Sequence, residues 1–477
     1  MIALENKKVL VLGLSPSGIA ASRLLAKSGA TVVLLDERND ADCRRLAKEI
    51  ADPEISVQLD AGTIPPEIFD FAVISPEIPL RDPLLAEVKQ KQIPIIGELE
   101  LGYQQSLCLN IAVTGTNGRT TSTQLIEKIL THCHRKTAIS DQLHVPMSAL
   151  VAQTKELDFL TAEVSSFQLE HITFFRPTIA VLLNIAQDHL DRYASMAEYV
   201  QTQARIFANQ QAFDWAIVQS EALAHLRALD IPVPGKVITF SANNRRADIF
   251  LDRGLIVSRL EGWAGPLLDM AKCKIRGPHN AESLMVALAV GRVLRLPLEQ
   301  SAEALKNYEL PPHRSEFIAE VNGVKFINDS KATNVGAVNR ALLSIPEGRA
   351  GEPNVWLIAG GRDKKFDFHD IGPLLSQRVK GTFLIGEARE KIRAAWSLFT
   401  PCTLADSLLE ALREATKSAV AGDVVLLSPA CSSLDQFRGY EHRGEVYRNA
   451  VQEWASAASS EGSSSDHKEL ERNVQLS

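Results

Sequence analysis

The segment Ala112-Val113-Thr114-Gly115-Thr116-Asn117-Gly118-Arg119-Thr120-Thr121 organises everything around it. An apolar strand, Asn110 to Val113, runs into it. A helix leaves it, with Leu125, Ile126, Ile129 and Leu130 on one face. A strand, a Gly-rich turn and a helix N-terminus make a phosphate-binding loop, where backbone N–H groups and the helix dipole converge on an anion. One position departs from the usual wording: Arg119 stands where Lys is customary. Arg keeps the charge but carries it on a planar fork rather than at a point. Read alone, the segment is also compatible with a plain Gly/Asn turn before a helix, so the surrounding sequence decides.

Upstream, Val9 to Leu14 reads as a strand. Gly13-Leu14-Ser15-Pro16-Ser17-Gly18 opens a helix to about Ser28, and Thr31 to Leu35 is a second strand ending in Asp36. That is half of a dinucleotide fold, with an acidic residue placed to meet a ribose or base. Ser15 takes the place of the middle glycine, which hinders close approach of a pyrophosphate and disfavours a nicotinamide nucleotide. Ile93 to Glu98 reads as a last strand, and Leu101 to Leu107 as a connector. Downstream, Leu310-Pro311-Pro312-His313-Arg314 marks another boundary. Beyond it the strands Val324–Asn328, Val355–Ala359, Gly381–Ile385 and Val424–Leu427 alternate with helical stretches, predicting a second mostly parallel, doubly wound sheet. The expected fold is α/β in three domains: Rossmann-like over 1–107, a central P-loop ATPase domain over 108–310, and Rossmann-like again over 311–457. The Ser-rich, charged stretch 458–477 has little to bury and is expected to be disordered.

A chain of 477 residues exceeds one core and suits about three domains of roughly 150 residues. A net charge of −7 argues against a nucleic-acid partner. No apolar run reaches the ~18 residues of a membrane span, so no membrane insertion is expected. Met1 to Lys8 is charged and lacks the apolar core of a secretion signal. The six cysteines are scattered without metal-ligand spacing, which fits reduced thiols in a cytoplasmic protein. His132-Cys133-His134 reads as a solvated helix end, since adjacent helical residues point in different directions.

Four further clusters share chemistry with the phosphate loop. Thr161 to Leu169 ends a strand at Glu163, a carboxylate suited to Mg²⁺ beside phosphates. Asn184 to Arg192 ends another strand with Asp188-His189. Asn328-Asp329-Ser330-Lys331-Ala332-Thr333-Asn334 is a dense polar turn, and Ser428 to Phe437 follows the last strand. Each alone has a bland reading as a solvated strand end. All follow strands, where open α/β sheets build their sites.

On these motifs the chain resembles the Mur ligase family, most closely its D-glutamate-adding branch, over nearly its whole length. His313-Arg314, Asn328 to Asn334, Gly360-Gly361-Arg362-Asp363-Lys364 and Ser428 to Phe437 follow the family's wording closely. The resemblance implies three domains and an ATP-dependent amide ligase of peptidoglycan precursor synthesis. A substrate carboxylate takes the γ-phosphate of ATP, and an amine then displaces phosphate from the acyl phosphate. It implies ATP and Mg²⁺ as cofactors, UDP-N-acetylmuramoyl-L-alanine and D-glutamate as substrates, and a cytoplasmic monomer. By resemblance, Gly115, Thr116, Asn117, Gly118, Arg119, Thr120 and Thr121 hold the phosphates, with Asn280, Arg314 and Asp329 around the nucleotide. Thr120, Glu163 and His189 serve the metal. Arg119, Glu163, His189 and Lys331 carry the catalytic roles. Thr333, Lys364, Ser433, Leu434 and Tyr440, with Lys331, hold D-glutamate, and Ser17, Asp36 and Arg38 hold the uridine nucleotide.

The departures from the family pattern cluster in the first two domains. Besides Arg119, the lysine that the family carbamylates aligns with Gln203, which forms no carbamate. The Gly-Asn-Ile-Gly turn near the muramoyl substrate reads Asp141-Gln142-Leu143-His144, and the first domain's Ser-Pro-Gly turn reads Ser75-Pro76-Glu77. A glycine of the first loop reads Ser15, and an asparagine reads Ser283. Two functions follow: an active D-glutamate ligase with an altered metal site, or a non-catalytic or repurposed relative that keeps nucleotide or D-glutamate binding.

Overall fold

The computed structural model describes residues 2–50, 52–142, 144–190, 192–363 and 367–456. Lys364 and the Ser-rich stretch 458–477 lie outside them. The chain divides into two compact units, Met1–Ile185 with Arg192–Tyr308, and Ala186–Asp191 with the chain from Glu309 onward.

The first unit holds two sheets. β1 (Lys8–Leu12), β2 (Thr31–Asp36), β3 (Ile55–Leu59), β4 (Phe71–Ile74) and β5 (Ile95–Gly97) pair in parallel in the order β3-β2-β1-β4-β5. Val9, Leu10, Val11 and Leu12 are fully buried, so both faces of β1 are covered, as continuous apolar parallel strands require. The second sheet contains β6 (Leu109–Thr114), β7 (Thr137–Ser140), β8 (Phe159–Glu163), β9 (Ile179–Leu182), β10 (Trp215–Gln219), β11 (Lys236–Ser241), β12 (Ile249–Asp252), β13 (Leu255–Ser258) and β14 (Gly265–Asp269). Its order is β14-β13-β12-β11-β10-β9-β6-β8-β7. The phosphate-loop strand β6 is therefore central, flanked by β8 and β9, whose ends carry Glu163 and Asn184. The antiparallel β12-β13-β14 extension is absent from the sequence reading. Short strands of alternating burial joined through Arg253-Gly254 make a hairpin rather than a crossover.

Leu101 to Leu107, read as a connector, is mostly helix: Glu98–Gln105 follows β5 directly. Two buried carboxylates anchor it to the central domain. Glu100 accepts backbone N–H bonds from Thr173 (2.8 Å) and Phe175 (2.9 Å), and Glu98 accepts one from Ser148 (2.7 Å). Gly102 lets the helix touch Met147, whose Cβ would lie 2.9 Å from a side chain there.

The second unit carries β15 (Glu316–Val321), β16 (Val324–Asn328), β17 (Val355–Gly360), β18 (Val379–Ile385), β19 (Cys402–Leu404) and β20 (Val424–Leu427), ordered β15-β16-β20-β17-β18-β19. Five strands run parallel, and β15 adds an antiparallel edge. Its core has two sides. Leu357, Leu384 and Trp396 sit on one, Ile358, Phe383, Leu427 and Tyr447 on the other.

Candidate functional site

The phosphate loop begins where β6 ends. Gly115 has φ +136°, and a Cβ there would lie 3.0 Å from the Asn184 nitrogen, so only glycine fits between β6 and the end of β9. Gly118, at φ +88°, caps the helix Arg119–His132 and makes no side-chain capping bond. The N-terminus of a fourteen-residue helix, with its dipole, thus faces the loop where an anion would sit. Asn184 holds the loop from the side. Its Oδ1 accepts from Asn117 N–H (3.1 Å), its Nδ2 donates to Asn117 O (2.8 Å), and its carbonyl accepts from Thr116 N–H (2.9 Å). Leu125, Ile126, Ile129 and Leu130 are completely buried, which fixes the helix axis behind the loop.

A second, buried chain of hydrogen bonds supports the loop from below. Thr114 Oγ1 lies 2.5 Å from Gln203 Oε1 and 2.9 Å from Val164 O. Gln203 Nε2 donates to Tyr199 OH (2.9 Å), and Tyr199 OH lies 3.0 Å from Thr116 Oγ1. Gln203 is 1% exposed. Its carboxamide is a strut of the fold, spent on Thr114 and Tyr199. Tyr199 precedes Gln203 by four residues on the helix Met196–Ala204, a spacing that places both on one face. That spacing was the available sequence signal for Tyr199.

Arg119 does not reach outward. Its Nε lies 3.8 Å from Glu163 Oε1, and its Nη1 donates to Val164 O at 3.3 Å. The phosphate-loop cation and the strand-end carboxylate therefore share one corner. Thr120 and Thr121 open the same helix, and Thr120 O accepts from Thr123 Oγ1 (3.0 Å). The helix Pro278–Val293 packs against the phosphate-loop helix. It brings Ser283 Oγ within 3.7 Å of where a Gly118 Cβ would be, with Asn280 one turn away, donating to Arg276 O (2.7 Å).

In the first domain, Asp36 ends β2 and is 4% exposed. It accepts from Leu14 N–H (2.7 Å), Arg38 N–H (2.8 Å), Arg38 Nε (3.0 Å) and Arg38 Nη2 (2.9 Å). These bonds hold its carboxyl below the usual carboxylate range against the opposing effect of burial, the largest influence. The sequence reading placed Asp36 to meet a ribose or base; the structure gives it four hydrogen bonds from two residues of its own, Leu14 and Arg38. Ser17 Oγ donates to Gln142 O (3.3 Å), and Gln142 Oε1 accepts from Ser165 Oγ (2.7 Å), two residues beyond Glu163.

The second unit gathers the other motifs. His189 has φ +54°, and its Nε2 lies 3.7 Å from Asp188 Oδ2, which also accepts from Asn334 Nδ2 (3.2 Å). Asp188-His189 and the polar turn after β16 are thereby brought together. Within that turn, Lys331 Nζ donates to Tyr440 OH (3.1 Å) and sits 4.8 Å above the ring centroid, a cation–π contact. Asp329 accepts from Ser315 N–H (3.0 Å) and Ser428 Oγ (3.0 Å). Burial nevertheless pushes its carboxyl up to about 7, against these bonds and the nearby Arg314 charge. Thr333 is half-buried, Ser433 is 3% exposed, and Leu434 is 59% exposed. Arg362 N–H donates to Ser432 O (2.9 Å), and Gly361 (φ +140°) makes that approach possible, since a Cβ would fall 2.2 Å from the same carbonyl.

Sequence reading missed Arg443. It is fully buried and ties two motif turns together, donating from Nη2 to Ser330 O (2.9 Å) and Cys431 O (3.2 Å) and from Nε to Ser330 Oγ (3.1 Å). Burial pulls its guanidinium down to about 10. Nothing in its local sequence separates it from the neighbouring Arg438 and Arg448. His132-Cys133-His134 ends its helix as read, and no group of three or more His, Cys, Asp or Glu suited to a metal occurs among the described residues.

Comparison with known proteins places this geometry. Residues 7–97 match the Mur ligase MurD-like N-terminal domain, 113–291 the Mur ligase middle domain, and 313–431 the Mur ligase glutamate ligase domain. The UDP-N-acetylmuramoylalanine–D-glutamate ligase of Acidobacterium capsulatum is 39% identical over 455 residues, spanning 94% of this chain and 96% of the relative. That of Geotalea uraniireducens is 38% identical over 450 residues, spanning 94% and 98%. Among solved structures, the MurF ligase of Thermotoga maritima in complex with ADP aligns with a TM-score of 0.61 at 14% identity, covering 95% of this chain and all of that one. At such identity the likeness speaks for the fold. With all three domains matched in order along its length, the chain belongs to the Mur ligase family.

Proposed function

We propose that this chain joins D-glutamate to UDP-N-acetylmuramoyl-L-alanine, coupled to cleavage of ATP to ADP and phosphate, in peptidoglycan precursor synthesis. The near-full-length likeness to D-glutamate ligases carries the reading. The uridine nucleotide occupies the first domain, ATP the phosphate loop, and D-glutamate the second unit's polar turns.

The substrate carboxylate attacks the γ-phosphorus and the bond to ADP breaks, leaving an acyl phosphate. The amine of D-glutamate attacks the acyl carbon, loses a proton and expels phosphate. The chain's residues supply charge and position for both halves. Loop N–H groups from Gly115 to Thr121 receive the phosphates. Arg119 turns from Glu163 to the transferring phosphate, and Lys331, Thr333 and Ser433, with Lys364, receive the amino-acid carboxylates. Magnesium fits the donor set. The Thr120 hydroxyl on the phosphate-loop helix and the Glu163 carboxylate at the end of the adjacent strand are hard oxygen donors. When bound it supplies positive charge to the phosphates.

A second reading, a relative that binds without turnover, draws on the Arg119–Glu163 pairing and on the commitment of Gln203 to the fold. We place the protein in the cytoplasm as a monomer. Among the described residues no helix is long and apolar enough to cross a membrane. Phosphate release from ATP decides between the readings. The ligase releases phosphate only when both UDP-N-acetylmuramoyl-L-alanine and D-glutamate are present; the binding protein releases none while retaining affinity for them.

A further inference from the structure

The first domain's sheet reverses its strand order between β1 and β4, and ligands of open α/β sheets bind in the crevice above that point. A cavity of about 230 Å³ lies there, lined among others by Gly13, Asp36, Arg38, Ser75, Glu77 and Asp82. The acidic residue at the end of β2 ordinarily reads the ribose in such folds. Here Asp36 is unavailable for that task. Its two oxygens accept four hydrogen bonds from Leu14 and Arg38, about the full capacity of a carboxylate. Asp82 is engaged as well, its Oδ1 capping the helix Pro83–Gln90 through Leu85 N–H (3.0 Å).

Glu77 is placed differently. It follows β4 in the turn Ser75-Pro76-Glu77, and this turn is rigid. Ser75 N–H donates to Leu12 O (2.9 Å), Ser75 Oγ pairs with Ser15 Oγ, and Ile78 N–H closes the turn onto Ser75 O (3.0 Å). Ser75 is 1% exposed. No hydrogen bond or ion pair holds the Glu77 carboxylate to another described residue. The residue is exposed at the cavity mouth; partial desolvation pushes its carboxyl up, and the Arg38 charge opposes this at a distance.

We propose that Glu77, rather than Asp36, reads the sugar of the uridine nucleotide, its carboxylate accepting the ribose 2′- and 3′-hydroxyls. This rests on the reading of the first domain as the uridine-nucleotide site. A vicinal diol presents two donors to two carboxylate oxygens. Uracil presents one N–H between two carbonyls, which a carboxylate repels. The remaining charge of the cavity is negative, because Arg38 is paired with Asp36 and reaches Glu77 only at longer range, while Glu37 and Asp82 also line it. A neutral sugar is favoured there over a phosphate.

Calorimetric titration of the full chain with UDP and 2′-deoxy-UDP tests the assignment. Wild type prefers UDP by about 10-fold or more, the value of a hydrogen bond to a charged group. Glu77→Gly brings the two affinities within about threefold, and Glu77→Gln, which keeps an acceptor, falls between. Asp36→Asn weakens both ligands alike, because it loosens the loop at Leu14. Glu37→Gln, on the exposed rim, leaves the preference unchanged. A preference that survives in Glu77→Gly, or that Glu37→Gln abolishes equally, overturns the proposal while the uridine site stands. Failure of wild type to bind UDP at all overturns the uridine-site reading and the proposal with it.

Discussion

Gln203 Oε1 and Thr114 Oγ1 lie 2.5 Å apart at the foot of the phosphate loop, both side chains out of contact with water. The position that the family resemblance aligns with a carbamylated lysine is here an internal strut, linked through Tyr199 to Thr116. Removing the carboxamide with Gln203→Leu leaves buried hydroxyls short of partners, a cost of about 1–3 kcal/mol. The expected result is a lower unfolding midpoint together with a raised KM for ATP, since Tyr199, which touches Thr116, loses its Gln203 partner. A midpoint shift with KM unchanged would limit Gln203 to a stability role.

The same relationship sets the response to bicarbonate. Glutamine forms no carbamate, so wild-type turnover is independent of bicarbonate. Restoring the lysine with Gln203→Lys introduces bicarbonate dependence and lowers the Mg²⁺ requirement, because an extra anionic ligand strengthens a hard cation. Turnover measured in carbon-dioxide-free buffer across a magnesium series checks both. Wild-type activity that disappears without bicarbonate contradicts the strut.

Arg119 is the cation of the loop, and its resting partner is Glu163. Arg119→Ala lowers kcat by about 10²-fold or more, the usual scale for losing charge at a transferring phosphate. Arg119→Lys preserves or raises it, since lysine supplies a point charge. Single-turnover phosphate release separates this from weakened binding. Equal loss in both variants would mean that the planar fork itself, not the charge, is required.

In the second unit, Lys364→Ala raises the KM for D-glutamate far more than that for ATP. Thr333→Ala and Ser433→Ala act in the same direction with smaller effect, because a hydroxyl gives a directional donor without charge. A matched rise in both KM values would make Lys364 a solvated loop lysine.

Much of this organisation was legible in the sequence. Gly115 and Gly118 announce a loop that needs left-handed backbone, and Leu125, Ile126, Ile129 and Leu130 announce the buried face behind it. Both signals are local, and both appear in the structure. What escaped is non-local. Gln203 meets Thr114 across 89 residues of chain, and Arg443 meets Ser330 across 113. Burial of a polar side chain is invisible until its partners are known. The strand Glu316–Val321 escaped for another reason: its pattern is mostly half-exposed, with Phe317 58% exposed at the sheet edge. Asp36 shows the converse, a residue whose position was legible and whose four hydrogen bonds from Leu14 and Arg38 were not.

Two buried carboxyls give the protein a pH signature. Burial pushes Glu98 and Asp329 up to about 7 from ordinary values of 4.5 and 3.8. Both bind protons more tightly when folded than unfolded. Their contribution is therefore fully present below about pH 4 and is lost as the pH rises through about 7. Glu98 Oε2 has no hydrogen-bond partner among the described residues, so Glu98→Gln removes a buried charge that the Ser148 N–H bond to Oε1 compensates only in part. Unfolding midpoints at pH 5.5 and pH 8 check the sign: wild type loses stability on going up, and Glu98→Gln loses less. A steeper fall in the variant would contradict the assignment.

The most direct test of function is incorporation of radiolabelled D-glutamate into UDP-N-acetylmuramoyl-L-alanine by the purified protein, with ATP and Mg²⁺ present. The ligase reading predicts a labelled nucleotide product formed in step with phosphate release, absent with L-glutamate and absent without ATP. Wild type that binds both substrates and forms no product, while Arg119→Lys combined with Gln203→Lys forms it, would contradict the reading and make the chain a relative that has lost turnover.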